Sequence, residues 1–144
     1  MNFLVTGGAG FIGSNLCERL LLLGHAVWAF DDLNDFYDPR FKQRNVRSLQ
    51  ALAKPFEFVH GDLLDRRALD ELLGSVRFDQ IIHLAARAGV RPSLQAPALY
   101  QRVNVEGTVN LLEAARNANV RKIIIASSSS VYGVNSKVPF SESD

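Results

Sequence analysis

The chain has 144 residues, enough for one compact domain with a substantial core, and 47% of them are apolar. Its 16 basic and 15 acidic residues give a formal net charge of +1, so nothing in its charge favours nucleic acid or an anionic membrane as a partner. Cys17 is the only cysteine. An internal disulfide is therefore excluded, and with no basic leader and no long apolar run the sequence predicts a cytoplasmic protein.

Short β-rich runs alternate with helical runs along the whole chain. In chain order the pattern predicts strand 3–6, helix 14–23, strand 26–30, helix 40–53, strand 56–60, helix 65–73, strand 81–84, helix 98–117 and strand 122–127. Asp65 is the expected N-cap of the third helix, and Gly24 and Gly74 are expected to end the first and third helices. Gly107 inside the last helix has no explanation from propensity.

This alternation predicts an α/β fold over residues 1–144, a doubly wound parallel sheet of the Rossmann-like kind with helices on both faces. We expect about five strands in the order 3-2-1-4-5. Residues 134–144 are polar and add no element that would cover the fifth strand. We therefore expect a truncated fragment without a substrate domain, whose open sheet edge could pair with a second copy of the chain.

A glycine-rich turn, TGGAGFIG at residues 6–13, follows the first strand and opens the first helix. Gly7 would permit the turn, Gly10 the close approach of a pyrophosphate, and Gly13 the packing of the helix on the sheet. The N–H groups of Phe11 and Ile12 would then face the phosphates. No Gly-Lys-Ser/Thr follows, which excludes a Walker-type phosphate loop.

An acidic residue, Asp31, follows directly after the second predicted strand. A carboxylate at this place accepts hydrogen bonds from the adenosine ribose and repels a 2′-phosphate, so it favours NAD over NADP. Asp31 or Asp32 could instead simply begin a turn. Lys42 and Arg44 could also meet a phosphate, which would favour NADP. We assign NAD as the cofactor and no metal site.

Together these residues resemble the extended short-chain dehydrogenase/reductase family, specifically its nucleotide-sugar epimerases and dehydratases. The resemblance rests on residues 6–13, 61–63 (GDL), 83–86 (HLAA), 104–108 (NVEGT) and 127–133 (SSSSVYG). Residues 33–38 (LNDFYD) and 86–91 (ARAGVR) are similar to UDP-glucuronate 4-epimerases in particular, with related epimerases still open.

The resemblance implies further cofactor contacts. Asp62 and Leu63 would contact the adenine, although Asp62 could also cap the next turn. Asn104 would stand near the cofactor from its helix. The other implied cofactor contacts are Leu84, Ala85, Ala86 and Ser127. His83 lies within an apolar strand and is better explained as a hydrogen-bonded core histidine than as a catalytic one.

The serine run supplies the remaining implied chemistry. Counted from Val131-Tyr132-Gly133, Ser128 matches the family's catalytic Ser or Thr, whose hydroxyl bonds the sugar oxygen at the reacting carbon. Ser129 would flank the substrate. Spacing alone favours a polar strand end whose hydroxyls satisfy loop backbone groups. Arg91 could bind a substrate carboxylate or phosphate, or be a solvated charge.

The family's reaction inverts C4 of the sugar by reversible hydride transfer through a 4-keto intermediate. A Tyr phenolate, its pKa lowered by a Lys four residues later, takes the hydroxyl proton. This chain has no such pair, because Ser136 stands four residues after Tyr132 and Lys137 five, and neither Tyr37 nor Tyr100 is followed by Lys at that spacing. We expect a chain that can bind NAD but is inactive as an epimerase.

Three hypotheses about the function are open at this point. The leading one is the NAD-binding domain of a nucleotide-sugar epimerase whose other partner is a UDP-sugar, with UDP-glucuronate as the expected substrate of the full-length parent. The second is the same domain of a nucleotide-sugar dehydratase, which needs an added acid/base pair where Ser129 and Ser130 stand. The third is a non-catalytic NAD sensor or scaffold.

Overall fold

The computed structural model describes residues 1–134 and 137–144. The strands are β1 (Asn2–Thr6), β2 (Ala26–Asp31), β3 (Phe56–His60), β4 (Gln80–His83) and β5 (Ile123–Ile125). The helices are α1 (Phe11–Leu22), α2 (Pro39–Gln50), α3 (Arg66–Ser75), α4 (Val90–Gln95), α5 (Pro97–Gln101) and α6 (Gly107–Asn117). A π-helical turn (Arg102–Glu106) joins α5 to α6, and a 3-10 turn covers Ser129–Tyr132. Ser136, used above in the search for a Tyr-x-x-x-Lys pair, lies outside the described residues.

The five strands form one parallel sheet in the order β3-β2-β1-β4-β5, which confirms the predicted order. Thr6 at the end of β1 pairs with Phe30 on one side and with His83 on the other. The carboxyl ends of β1, β2 and β4 therefore meet at one edge of the sheet. The chain leaves β1 toward β2 first and returns later to β4, so a topological switch point lies between β1 and β4.

Two apolar clusters cover the two faces of the sheet, because successive side chains of a strand point to opposite faces. Phe3 and Val5 pack on the face that α1 and α2 cover, with Cys17, Leu20, Leu21, Val27, Ala29, Leu49 and Ile82. Leu4 packs on the opposite face, covered by α3 and α6, with Phe30, Leu63, Leu69, Leu73, Phe78, Ile81, Leu111, Ala114, Ala115 and Val120. Both faces are buried, as the apolar strands predict.

Local capping chemistry sets several helix ends. Asp38 accepts a hydrogen bond from the Arg40 N–H, and Pro39 occupies the first position of α2. Asp65 accepts from the Ala68 N–H and starts α3, which confirms the predicted cap. The prediction that Gly74 ends α3 is wrong, since the helix continues to Ser75. Two starts also differ: α1 begins at Phe11 rather than residue 14, and α2 at Pro39 rather than residue 40.

The single helix predicted over 98–117 is interrupted. It consists of α5, the π-helical turn and α6, and the preceding short α4 was not predicted. The structure explains Gly107, because a Cβ at this position would lie 2.9 Å from the Leu63 Cβ. Glycine thus lets α6 approach the loop after β3.

The fifth strand is shorter than predicted, three residues instead of six, and forms the edge of the sheet. Ile124 and Ile125 are about half exposed there, at 53% and 48%. An apolar edge is therefore open among the described residues, as the sequence predicts. None of the helices that the structure describes is long and apolar enough to cross a bilayer.

Candidate functional site

A cavity of about 390 Å³ opens at the carboxyl edge of the sheet, around the ends of β1, β2 and β4. We call it the switch-point cavity. Its volume lies in the range of roughly 300–1,000 Å³ that ligand pockets occupy. Eleven of the thirteen predicted cofactor residues line it, namely Gly7, Gly10, Phe11, Ile12, Gly13, Asp31, Asp62, Leu63, Leu84, Ala85 and Ala86.

The glycine turn forms one wall of the switch-point cavity. Gly7 has a φ of +69°, and a Cβ there would lie 2.9 Å from the Ala85 backbone nitrogen. A Cβ on Gly13 would lie 2.1 Å from the Gly7 carbonyl oxygen, so the turn closes only with glycine at both positions. The N–H groups of Phe11 and Ile12 belong to the first turn of α1, where no earlier helical carbonyl can accept them. They can donate to an anion in the cavity.

The Asp31 carboxylate lies at the end of β2, in the wall of the same cavity. Its two oxygens accept hydrogen bonds from the N–H groups of Ala9 (3.2 Å) and Leu33 (2.9 Å) and from Lys42 Nζ (3.1 Å). Lys42 Nζ also lies 3.7 Å from an Asp32 carboxylate oxygen. Two carboxylates therefore surround one ammonium, and this corner of the cavity carries a net charge of −1.

The two cations considered above as alternative phosphate contacts lie in different places. Lys42 is buried against the Asp31 carboxylate and lines the switch-point cavity. Arg44 does not line it, because its guanidinium lies over the Phe41 ring on the outer side of α2, 5.4 Å from the centroid. Of these two cations, only Lys42 lines the cavity.

The loop after β3 contributes Asp62 and Leu63. Asp62 accepts a hydrogen bond from the Leu64 N–H (2.9 Å) and also lines the cavity, so its turn role and an adenine contact are compatible. The Leu63 side chain is buried beneath Gly107. The Leu63 carbonyl accepts from Asn110 Nδ2 at 3.1 Å, which holds the loop to α6.

Arg87 is a cavity residue that sequence reasoning missed, although it follows directly after the Leu-Ala-Ala run. Its Nε is buried and has no hydrogen-bond partner among the described residues. Arg87 also lines the cavity, so its guanidinium is a candidate partner for an anionic ligand there. The cavity lining thus contains both a glycine turn and a cationic side chain, the groups that bind a pyrophosphate.

Asn104, predicted to stand near the cofactor, does not line the cavity. It lies in the π-helical turn, where its side chain bonds both backbone groups of Arg87. Oδ1 accepts from the Arg87 N–H (2.7 Å), and Nδ2 donates to the Arg87 carbonyl (3.0 Å). Asn104 therefore fixes the backbone of a residue that does line the cavity. A π-helical turn often marks a functional site.

The prediction that His83 is a hydrogen-bonded core histidine is confirmed. The residue is 4% exposed. Nδ1 lies 2.6 Å from the Thr6 hydroxyl oxygen, and Nε2 lies 3.0 Å from the Thr108 hydroxyl oxygen. Burial lowers the pKa of His83 below its ordinary value.

The serine run lies outside the cavity lining. Ser127, Ser128 and Ser129 are all exposed, and of this segment only the preceding Ala126 lines the cavity. The Ser128 hydroxyl accepts from the Ser130 N–H at 3.2 Å, which is the backbone-capping arrangement that spacing alone favours. Arg91 is exposed on α4 and does not line the cavity either.

The loop between β2 and α2 adds lining residues that motif reasoning did not assign to the site. These are Asp32, Asn34, Phe36 and Tyr37. Asp32 Oδ1 accepts from the Asn34 backbone N–H (3.1 Å) and side-chain amide (2.5 Å), so the loop is internally ordered. Its signal in the sequence is the LNDFYD segment, which carries the resemblance to UDP-glucuronate 4-epimerases.

Residues 4–144 match the family described as GDP-mannose 4,6 dehydratase. The chain belongs to that family. It is 48% identical over 145 residues to UDP-glucuronate 4-epimerase 1 of Arabidopsis thaliana, and the aligned region covers 100% of this chain and 33% of the relative. It is 43% identical over 144 residues to a probable UDP-glucuronate 4-epimerase of Rhizobium meliloti, covering 100% of the chain and 42% of the relative.

A solved relative shares the fold as well as the sequence pattern. The UDP-glucose-4-epimerase of Stenotrophomonas maltophila, crystallised with bound NAD and formylated UDP-arabinopyranose, superposes with a TM-score of 0.86 at 35% identity. The match covers 99% of this chain and 41% of that one. This member of the GDP-mannose 4,6-dehydratase family thus spans between 33% and 42% of the length of these three relatives.

Proposed function

We propose that this chain binds NAD in the switch-point cavity. The observation that carries the proposal is that the open glycine turn and the Asp31 carboxylate line the same cavity, one strand apart. This is the arrangement by which a parallel α/β sheet binds a dinucleotide. The cofactor of the Stenotrophomonas relative supports it. When bound, NAD supplies a reversible hydride acceptor.

Each part of the dinucleotide can be assigned to described residues of the chain. We assign the pyrophosphate to the first-turn N–H groups of α1 and to the guanidinium of Arg87, which lines the cavity. We assign the adenosine ribose hydroxyls, which are donors, to the Asp31 carboxylate, and the adenine amino group to Asp62. Leu84, Ala85 and Ala86 leave room at the end of β4. Ser127 and Asn104 remain proposed neighbours of the cofactor, Asn104 through its bonds to Arg87.

For the parent reaction we propose inversion at C4 of UDP-glucuronate, in the cytoplasm. The names of the Arabidopsis and Rhizobium relatives support this substrate. Ser128 would bond the reacting sugar oxygen, with Ser129 and Arg91 as further substrate contacts. A serine hydroxyl without an adjacent proton acceptor is a poor general base. Since no Tyr-x-x-x-Lys pair is present in the sequence, the 144-residue chain itself would turn over no sugar.

A nucleotide-sugar dehydratase is the second candidate, because the matched family carries that description. Dehydration needs an acid and a base beside the reacting carbon, in addition to the hydride acceptor. Ser129 and Ser130 occupy the corresponding part of the serine run and supply only hydroxyls. This composition supports the epimerase over the dehydratase.

Calorimetric titration of the 144-residue chain with NAD, combined with sizing with and without NAD, tests the proposal. We expect saturable binding with no change in size. Dimerisation that depends on NAD would favour the sensor or scaffold instead, including pairing through the β5 edge. A folded chain that binds no NAD would refute the cofactor assignment. ADP-ribose is the matched probe, since it keeps every contact assigned above and lacks the nicotinamide.

A further inference from the structure

The Asp31 carboxylate occupies a site that is built to bind an anion. Three donors converge on it: the N–H groups of Ala9 and Leu33 and the Lys42 ammonium, at 3.2, 2.9 and 3.1 Å. We propose that this self-filled anion site, rather than the charge of Asp31 alone, makes the chain choose NAD over NADP. Without the carboxylate, the same donors would take the 2′-phosphate of NADP. The inference rests on the proposed NAD site.

Asp31 and Lys42 are both buried, so the fold itself holds this ion pair in place. The side chains of Asp31 and Lys42 are 4% and 7% exposed, the lowest values of any ion pair among the described residues. A buried ammonium requires an anionic partner, since its desolvation is otherwise uncompensated. Lys42 is therefore bound to Asp31 and is not available to a ligand while that carboxylate is present.

The donor set suits a phosphate as well as a carboxylate. Backbone N–H groups and a lysine ammonium are the groups that phosphates bind in proteins, and neither requires a carboxylate's shape. Two neighbours hold Lys42 in place when Asp31 is removed, namely Asp32 at 3.7 Å and the Tyr37 ring at 5.5 Å. Asp32 opposes a phosphate electrostatically, so the gain for NADP stays moderate.

A matched cation on the same helix provides the control. Arg44 lies two residues from Lys42 on α2, but its guanidinium lies over Phe41 and does not line the cavity. Removing its charge changes the net charge of the protein as much as removing that of Lys42. A general electrostatic effect on NADP would therefore respond to both residues, and a donor site only to Lys42.

The experiment compares NAD and NADP binding by calorimetry for the 144-residue chain and its variants Asp31→Ala, Lys42→Met, Asp31→Ala/Lys42→Met and Asp31→Ala/Arg44→Met. We expect Asp31→Ala to bind NADP about 10- to 100-fold tighter than the unmodified chain does, the range for one charge-assisted hydrogen bond. The Lys42→Met change should abolish that gain, and Arg44→Met should preserve it. Asp31→Ser also removes the carboxylate and replaces Asp31→Ala in the experiment if that variant does not fold.

Two results would overturn the inference. One is an equal NADP affinity of Asp31→Ala and Asp31→Ala/Lys42→Met, which would mean that lost repulsion explains the gain. The other is an equal loss of NADP affinity when either Arg44→Met or Lys42→Met is added to Asp31→Ala, which would mean that a general electrostatic effect explains the gain. Titration with inorganic phosphate distinguishes a failure of this inference from a failure of the proposed NAD site. New phosphate binding in Asp31→Ala supports the anion site even where the unmodified chain fails to bind NAD.

Discussion

The Thr6 hydroxyl oxygen lies 2.6 Å from His83 Nδ1 and joins the ends of β1 and β4 inside the sheet. The surrounding bonds fix the direction of the hydrogen bond between His83 and Thr108. The Thr108 hydroxyl donates to the Asn104 carbonyl (2.7 Å), so it accepts from His83 Nε2. The Thr6 hydroxyl accepts from the Ala85 N–H (3.2 Å), and its own proton can then be donated to Nδ1 of a neutral ring. A neutral histidine with its proton on Nε2 therefore gives every donor and acceptor of this network a partner, and burial favours the same neutral form.

Acid should therefore destabilise the fold through His83. Its pKa in the folded chain lies below the ordinary value of 6.5 because the ring is buried. The unfolded chain then binds a proton that the folded chain does not, in the pH window from 6.5 down to the lowered value. The contribution to stability is complete above that window and falls as the pH falls through it, by at most about 1.4 kcal/mol per pH unit.

Urea unfolding between pH 5 and 8 measures this dependence. The difference in unfolding free energy between the unmodified chain and His83→Gln should shrink as the pH is lowered. His25→Gln retains His83 and should therefore retain the pH-dependent contribution. A difference that stays constant across the range would contradict the argument.

Two glycines in helices should respond in opposite ways to the same substitution. Gly13→Ala places a Cβ 2.1 Å from a backbone oxygen that cannot move aside without opening the turn, and we expect a loss of stability of about 1–3 kcal/mol or more. Gly74→Ala in α3 meets nothing within 4 Å and should gain about 0.5–1 kcal/mol from helix propensity. Urea unfolding measures both, and a similar loss in the two variants would disprove the packing explanation.

The sheet could be predicted from sequence because its signals are local. Apolar strands bounded by glycines and alternating with helices determine the strand order, and Asp65 marks a helix start by its own side chain. The missed features depend on distant partners. Gly107 makes sense only beside Leu63, and the π-helical turn interrupts a continuous helical pattern.

The candidate site shows the same contrast between local sequence signals and features that depend on distant partners. The glycine turn and Asp31 carry their chemistry in their spacing and were found, and both line the cavity. The burial of Lys42 depends on its contacts with Asp31 and Asp32, so the sequence alone does not distinguish Lys42 from Arg44 as a possible phosphate contact. The unpaired donor on Arg87 depends on the packing of its surroundings and has no counterpart in a local pattern.

Asn104→Ala should weaken both the fold and NAD binding. The change leaves the Arg87 N–H and carbonyl without the partners that Asn104 supplies, and we expect a stability loss of about 1–3 kcal/mol. NAD affinity should fall because the Arg87 backbone is released. Asn15→Ala, which removes one exposed bond to the Phe11 carbonyl, is the control and should change neither quantity by much. Unchanged NAD affinity in a folded Asn104→Ala chain would show that Asn104 has only a structural role.

Arg87→Met should separate stability from binding. The arginine buries an Nε that has no hydrogen-bond partner among the described residues, and we expect this burial to cost about 1–3 kcal/mol. Methionine fills a similar volume without a polar atom, and the variant should be at least as stable as the unmodified chain. If the Arg87 guanidinium binds the pyrophosphate, the same variant should bind NAD about 10- to 100-fold more weakly. Thermal unfolding and NAD calorimetry on one preparation measure both effects. A variant that loses stability while keeping its NAD affinity would mean that Arg87 serves the fold and not the ligand.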